Sequence, residues 1–191
     1  QKLRRDSQIK LLGVPLKGKW QLAQFVAQSP LARYLPHTER YTAMRDSLSF
    51  LQKYHSFVAK PIGGSHGRGI VAVFRSKQGE RCYVIGRTKE NSALSQTFAS
   101  TKQALTWLDR FIGSSRYVLQ PYLHLRTPDN VPFDIRVLMQ KDERQQWQMT
   151  GMAVRTGTPH SLTSNLHGGG TAKKIAPFLT QLFYDRQTAR Q

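Results

Sequence analysis

The sequence predicts an α+β fold. Its 191 residues, of which 39% are apolar, can bury one good core or two small lobes that share an interface. Amphipathic helical segments and short strand-like runs segregate loosely along the chain. A glycine-rich loop also joins two strand-like runs directly, which is typical of a β-hairpin.

Two helices are predicted before that loop. Apolar residues recur at helical spacing between Lys19 and Arg33, and Pro30 is expected to end this helix early. Residues 35–38 are predicted to be a linker. The apolar stripe of a second amphipathic helix is formed by Tyr41, Met44, Leu48 and Leu51.

Three strands are predicted around the loop, whose sequence is AKPIGGSHGRGI at residues 59–70. The apolar runs are SFVAK at 56–60, IVAVFR at 70–75 and RCYVIG at 81–86. The order strand, loop, strand is not the strand, loop, helix order of a P-loop. The Walker pattern and the glycine spacing of a dinucleotide site are also missing from the sequence.

The second half of the chain begins with a helix predicted from Ser100 to Ile112, capped by Ser100 or Thr101. Its apolar stripe is Ala104, Leu105, Leu108, Phe111 and Ile112. Further strands are predicted at YVLQPYL (117–123), FDIRVLMQ (133–140) and WQMTGMAVR (147–155). A second glycine-rich turn follows at 164–170, and a final helix at 171–183 that Pro177 threatens to kink.

Charge is the strongest global signal. Twenty-nine Lys and Arg against eleven Asp and Glu give a net charge of +18, which attracts phosphate as nucleotide, nucleic acid or anionic surface. The net charge is explained equally well by a solvated basic face, or by an acidic remainder of the protein that is absent from this chain. Cys82 is the single cysteine and fits a reducing cytosol. No apolar run has the length of a membrane span, and the initial Gln suggests a fragment or a processed product.

The glycine-rich loop suits a polyphosphate. Glycine lets the backbone approach closely and turn its N–H groups inward. Lys60 would supply a positive charge at the end of a strand, and Ser65 and Arg68 would add contacts from above. Taken alone, the loop is explained equally well as an ordinary glycine-rich turn.

Two further segments carry polar groups that could line a site. Strand alternation places Asp134 and Arg136 on one face, and Arg155 joins them if the following hairpin pairs as predicted. Such a carboxylate stays ionised and can bind a ribose hydroxyl or a metal, although a surface ion pair explains the strand alone better. Ser164 and Asn165 offer hydroxyl and amide groups beside a turn, or simply cap it. The histidines show no zinc-ligand spacing, and no nucleophile–histidine signature occurs.

Together these segments resemble ATP-grasp proteins, and most closely the YheC/YheD family, described as endospore coat-associated. The RimK-type glutamate ligases are more distantly similar. The resemblance runs from about residue 19 to about 172, and Lys19 precedes Lys60 by 60 − 19 = 41 residues, as paired lysines do in the RimK type. The matching segments, in order, are Lys60-Pro61 with the glycine loop, Gln120-Pro121-Tyr122, Asp134-Ile135-Arg136, Arg155 and Ser164-Asn165-Leu166-His167-Gly168-Gly169.

The resemblance implies two small α+β lobes with ATP between them. Residues 1–18 would be a basic N-terminal segment, 19–115 the N-terminal lobe with the glycine hairpin, and 116–191 a partial C-terminal lobe. The implied location is the cytoplasm or the spore coat.

The resemblance also implies a role for each matching residue. Lys19 and Lys60 would contact the phosphates, and Asp134 would lie near the ribose. Arg136 and Arg155 would be catalytic residues that face the transferred phosphate. The remaining implied nucleotide contacts are Gly64, Ser65, Gly67, Arg68 and Gly69 of the hairpin, Gln120, Pro121 and Tyr122 of the hinge, and Ser164 and Asn165 at the phosphate end.

Two departures from the ligase pattern matter. No Glu-x-Asn segment occurs, so the ligands of Mg²⁺ are expected beyond this chain, and the chain alone should transfer phosphate poorly. Thr163 stands where RimK-type enzymes have arginine, and Pro121 replaces an acidic hinge residue. The carboxylate and amine that would be joined cannot be identified from the sequence. The alternatives are a basic nucleic-acid-binding module, less favoured because the basic residues are scattered, and a catalytically silent coat or scaffold protein that retains the fold.

Overall fold

The structure is a computed structural model that describes residues 18–64, 66–77, 79–159, 161–164 and 169–188. It confirms the α+β fold class, with helices packed on antiparallel sheets. The helices are α1 Lys19–Ala27, α2 Met44–Tyr54, α3 Thr101–Ile112 and α4 Ile175–Thr188, with a 3-10 helix at Pro30–Tyr34. The strands are β1 Glu39–Arg40, β2 Ser56–Pro61, β3 Val71–Arg75, β4 Cys82–Arg87, β5 Ala93–Phe98, β6 Tyr117–Pro121, β7 Phe133–Lys141, β8 Trp147–Thr156 and β9 Thr171–Lys173.

The first helix ends early, as predicted. α1 stops at Ala27, and Pro30 begins the 3-10 helix, where the proline needs no N–H partner. Ser29 caps this short helix because its Oγ accepts from the N–H of Leu31 over 3.2 Å.

The predicted stripe of α2 is partly wrong. Met44 and Leu48 are each 40% exposed, and the buried face is formed instead by Ser47, Phe50 and Leu51. Phe50 decides the rotation of the helix, because its ring packs edge-on against Phe57 in the sheet at a centroid distance of 6.2 Å. Periodicity alone fits several rotations of this short helix.

The prediction for α3 is confirmed. Ser100 is its N-cap and accepts from the N–H of Gln103 over 3.3 Å. The stripe residues Ala104, Leu105, Leu108 and Ile112 are buried, and Phe111 is half-buried. The helix ends at Gly113, whose φ of +55° suits glycine.

A six-stranded antiparallel sheet with the order β1-β6-β2-β3-β4-β5 carries the main core. One face of it packs against α2 and α3, and alternate residues such as Phe57 and Ala59 point into that core. Val58 and Lys60, on the other face of β2, therefore point away from it. β5 was not predicted from the sequence, since its ALSQTF run is largely exposed and has no apolar alternation.

A three-stranded sheet with the order β7-β8-β9 forms the second layer. Its small core contains Phe133, Val154 and Leu182 of α4. The predicted helix at 171–183 is wrong at its start, because Thr171–Lys173 pairs with β8 as a strand. The helix begins at Ile175, so Pro177 lies in its first turn. Backbone N–H groups in the first turn have no helical partner, so a proline is tolerated there and causes no kink.

Candidate functional site

A cleft of about 310 Å³ lies where the six-stranded sheet meets β7 and the loop at 161–164. It falls within the usual volume range of small-molecule sites, roughly 300–1,000 Å³. Most of its lining is apolar. The described residues that line it are Pro36, Val58, Lys60, Ile70, Gln120, Pro121, Tyr122, Leu123, Leu125, Pro132, Phe133, Asp134, Leu162, Thr163 and Ser164.

Lys60 lines this cleft, and Lys19 lies close to it. Lys60 is at the end of β2, and its Nζ donates to Gln120 Oε1 over 2.8 Å. Lys19 starts α1, and its Nζ donates to the carbonyl oxygens of Pro61 at 2.9 Å and Gly64 at 3.3 Å. Both ammonium groups therefore contact neutral oxygens, and neither forms a salt bridge within the described residues.

The pKa of each lysine is lowered in this position. Burial lowers the pKa of Lys60, and repulsion by the nearby Lys19 lowers it further. Burial alone lowers the pKa of Lys19. Two cations placed together without a carboxylate are electrostatically unfavourable, and an anion bound between them would relieve the repulsion.

A short polar chain fixes the orientation of Lys60. Thr38 Oγ1 donates to the carbonyl of Pro36 over 2.8 Å, so its oxygen is left to accept from Gln120 Nε2, also over 2.8 Å. The amide of Gln120 must then turn its oxygen toward Lys60. The sequence placed Gln120 at the site, but it gave no sign that Thr38, 82 residues earlier, orients it.

The glycine-rich loop is a β-hairpin connection between β2 and β3, as predicted. Gly64, Gly67 and Gly69 have φ values of +90°, +79° and +68°, a region that disfavours other residues. A Cβ on Gly69 would lie 2.8 Å from the Tyr117 hydroxyl, which donates to the Gly69 carbonyl over 3.0 Å. The base of the loop is thus tightly packed.

The other half of the loop is open. A Cβ on Gly63 or Gly64 would meet nothing within 4 Å, and the side chain of Arg68 is exposed. Ser65, a predicted contact in this loop, lies outside the described residues.

The predicted hinge is at the end of β6. Tyr122 packs edge-on against Phe74 at 4.7 Å, its hydroxyl accepts from Arg126 Nε over 3.0 Å, and its N–H donates to the Ser56 carbonyl over 3.4 Å. Pro121 has no N–H. These two positions therefore face the cleft mainly with side-chain surface and with carbonyl groups.

Asp134 forms an ion pair with its cross-strand neighbour Arg155. Arg155 Nε donates to Oδ1 over 2.8 Å and Nη2 to Oδ2 over 2.5 Å, while Ser164 Oγ donates to Oδ2 over 2.7 Å. Burial opposes ionisation of Asp134, but hydrogen bonds from Arg155 and Ser164 outweigh it and hold its pKa below the ordinary value. The hydrogen bond to Asp134 raises the pKa of Arg155.

Six of the predicted site residues line the cleft. They are Lys60, Gln120, Pro121, Tyr122, Asp134 and Ser164. The described lining does not include Lys19, Gly64, Gly67, Arg68, Gly69, Arg136 or Arg155. Arg136 is exposed on the Asp134 face of β7. Asn165 lies outside the described residues. The sequence did not identify the apolar walls, which come from six separate segments and carry no local motif.

The described residues do not fit a divalent cation. No group of three His, Cys, Asp or Glu side chains that could hold a metal is found among them. Asp134 is the only carboxylate in the described lining of the cleft, and its charge is already paired with Arg155.

A family model described as YheC/D-like ATP-grasp matches residues 8–191, which is nearly the whole chain. The chain belongs to the YheC/D-like ATP-grasp family. This assignment confirms the resemblance seen in the sequence and the ATP-grasp type of α+β fold. None of the described helices of this family member is long and apolar enough to cross a membrane.

Two curated relatives from Bacillus subtilis (strain 168) are similar to the chain. Endospore coat-associated protein YheC is 32% identical over 172 residues, which cover 89% of this chain and 46% of YheC. Endospore coat-associated protein YheD is 27% identical over 164 residues, 83% of this chain and 35% of YheD. The chain thus spans less than half the length of these relatives. No solved structure matches it significantly.

Proposed function

We propose that this chain is the ATP-binding unit of a carboxylate–amine ligase-like protein, with the triphosphate held by Lys19 and Lys60 beneath the glycine hairpin. The observation that carries the proposal is a pair of neighbouring, partly buried lysines that contact only neutral oxygens among the described residues, one of which, Lys60, lines an apolar cleft. Such a pair favours a polyanion over a single carboxylate, because both positive charges need compensation.

The apolar part of the cleft suits the adenine ring. Val58 is in β2 and Ile70 directly precedes β3, and Leu123 and Phe133 come from the segments beyond the hinge. A flat aromatic base buried between two such walls would gain from apolar burial and ring contacts. Gln120, Pro121 and Tyr122 lie beside that space, as the ATP-grasp resemblance implies for a hinge.

Asp134 is proposed to contact the ribose. Its two oxygens hold hydrogen bonds from Arg155 and Ser164, yet a carboxylate has about four lone-pair positions and can accept further donors. Arg136, exposed on the same face, is proposed to approach the transferred phosphate. Arg155 is proposed to approach the same phosphate while it keeps part of its contact to Asp134.

The metal and the acceptor are proposed to depend on residues other than the ones described. ATP-grasp proteins generally bind ATP with Mg²⁺, and the described residues provide no cluster for such an ion. We expect slow phosphate transfer from this chain alone. The two lobes are proposed to be residues 19–115 and 116–191. The relatives' names place them with the endospore coat, and we propose the same association here.

Calorimetry with ATP, with and without Mg²⁺, tests the proposal on the wild type, Lys60→Ala and Lys102→Ala. Lys102 is exposed on α3 and makes the same change in charge away from the cleft. We expect ATP binding to fall at least tenfold in Lys60→Ala and to stay unchanged in Lys102→Ala. Equal binding by all three proteins contradicts the site. Polynucleotide binding that weakens steeply with salt and does not compete with ATP would support the nucleic-acid alternative.

A further inference from the structure

The β7–β8 hairpin carries an apolar face that is covered at one end only. Residues opposite each other in an antiparallel pair share a face, so Phe133, Ile135, Val137 and Met139 face the same way as their partners on β8. The register shift leaves Thr150 unpaired on β8 and keeps the alternation of β7 intact. The exposed part of this surface, here called the ribbon face, consists of Ile135, Val137, Met139, Trp147, Met149 and Met152.

Exposure is lowest at the α4 end of the hairpin and highest at its far end. Near α4, Val154 is 0% and Phe133 9% exposed. Further along, Met152 is 38% exposed, and Trp147 at the far end is 65% exposed. The ribbon face exposes on the order of 500 Å² of apolar surface, which is as large as the largest patch on an ordinary monomer. The ribbon face is therefore an extension of the buried core around Phe133 and Val154 that no described residue covers.

The hairpin also lacks support at its edges. β9 pairs only with Val154–Thr156, so the part of β8 before Val154 belongs to a two-stranded ribbon within the described residues. A two-stranded ribbon is marginally stable by itself in water. A partner on the ribbon face would stabilise this part of the fold.

The size of the ribbon face fits one helix. Two strands about 4.8 Å apart present a strip roughly 10 Å wide, close to the diameter of an α-helix. From Ile135 to Lys141 the strip is about 20 Å long, which corresponds to roughly 13 helical residues. α4 already covers the other end of this same face through Leu182, with Phe178 and Leu179 against the core.

The charges around the ribbon face select an acidic occupant. Lys141 lies beside the Trp147 ring, 5.5 Å from its centroid, and Lys173 is paired with Val154 and so shares its face. Asp134, the only acidic residue in β7, β8 and β9, points to the opposite face. Asp142 and Glu143 are in the hairpin turn, and Asp142 accepts from Gln148, which is also on that opposite face. A second copy of the chain would also bring its own charge of +18 and would be repelled.

We propose that the ribbon face binds an acidic amphipathic α-helix of a partner protein, whose apolar stripe packs on the methionines and whose carboxylates contact the flanking lysines. This interaction surface is separate from the nucleotide cleft, because none of the six ribbon-face residues is in the described lining of the cleft. The proposal therefore does not depend on ATP binding.

The test uses two tryptophan-free model helices with the same leucine stripe and either glutamate or lysine on the remaining positions. Binding to the whole chain is followed by the blue shift of Trp147, isolated by comparison with Trp147→Phe. We expect the glutamate helix to bind at least tenfold more tightly than the lysine helix. Met149→Asp should weaken binding of the glutamate helix, whereas Tyr83→Asp should not. If Met149→Asp does not fold, the milder Val137→Thr replaces it. Tyr83 is 42% exposed on β4 and serves as the matched control.

Other outcomes overturn the proposal. If neither helix binds, or if both bind equally, the proposal of an acidic partner is refuted. Sedimentation equilibrium that shows a dimer lost in Met149→Asp assigns the ribbon face to a second copy. A Trp147 blue shift caused by vesicles of phosphatidylglycerol, with no response to the glutamate helix, assigns it to a membrane surface.

Discussion

Replacing Gln120 by glutamate tests whether the site depends on a neutral contact to Lys60. Lys60 Nζ donates to Gln120 Oε1 over 2.8 Å. The amide and the carboxylate have nearly the same shape, so Gln120→Glu adds a negative charge and removes the Nε2 donor to Thr38. The new carboxylate would pair with Lys60 and cancel one of the two cations offered to the triphosphate.

The magnitude follows from the contact that is lost. A hydrogen bond to a charged group contributes roughly 1.5–3 kcal/mol, and about 1.4 kcal/mol corresponds to a factor of ten in affinity. Lys60 is partly buried, which weakens the screening that makes surface ion pairs nearly neutral. We therefore expect Gln120→Glu to weaken ATP binding by about 10- to 100-fold.

Calorimetry on the wild type, Gln120→Glu, Gln52→Glu and Lys60→Ala measures this effect. Gln52→Glu, on the exposed side of α2, makes the same change in net charge and should bind ATP like the wild type. Loss of affinity in both variants would attribute the effect to overall charge. Gln120→Glu binding within twofold of the wild type, while Lys60→Ala loses binding, would refute the argument that Gln120 holds Lys60 for the ligand.

Three more predictions follow from local geometry. Thr38→Val frees the Gln120 amide to flip, and calorimetry should show ATP affinity reduced by about 2- to 10-fold, since an ordinary hydrogen bond contributes about 0.5–1.5 kcal/mol. Gly69 has a φ of +68°, and a Cβ there would lie 2.8 Å from the Tyr117 hydroxyl. Gly69→Ala should therefore lower the free energy of unfolding in urea by more than about 1 kcal/mol, whereas Gly63→Ala should not. Equal urea midpoints for the two variants contradict this. Asp134 has a pKa below its unfolded value of about 3.9, so its contribution to stability is present above that pH and is lost as pH falls through the folded value. Urea unfolding from pH 7 to pH 3 should show that loss in the wild type and a smaller one in Asp134→Asn.

Local signals predicted part of this fold well. α3 has a serine cap and a full apolar stripe, so its bounds were found to within one residue. The hairpin between β2 and β3 was found because two apolar runs flank the glycines. In α2, packing of Phe50 against Phe57 overrides the periodicity that suggested Leu48, and this contact cannot be read from either segment alone.

The candidate site divides in the same way. Lys60 and the glycines were recognisable because their chemistry is local to one loop. The pairing of Asp134 with Arg155 followed from strand register once the hairpin was assumed. The hydrogen bond from Gln120 to Thr38 joins residues 82 apart in sequence and depends on the antiparallel pairing of β1 with β6 beside it. Such contacts arise from the order of strands in the sheet, which the sequence did not predict.

Lys19 has a further consequence for the glycine hairpin. An ammonium group has three N–H donors, and the carbonyls of Pro61 and Gly64 take two of them. A phosphate oxygen could take the third without displacing either carbonyl, so the hairpin and the ligand would be tied to the same nitrogen atom. Occupancy of the cleft would then be readable from amide hydrogen exchange in the loop, with slower exchange at Gly64 and Gly67 when ATP is bound. The backbone N–H of Lys19 donates to the Ile62 carbonyl, which connects α1 to the same loop. Ligand binding in the cleft would then also slow amide exchange at the start of α1.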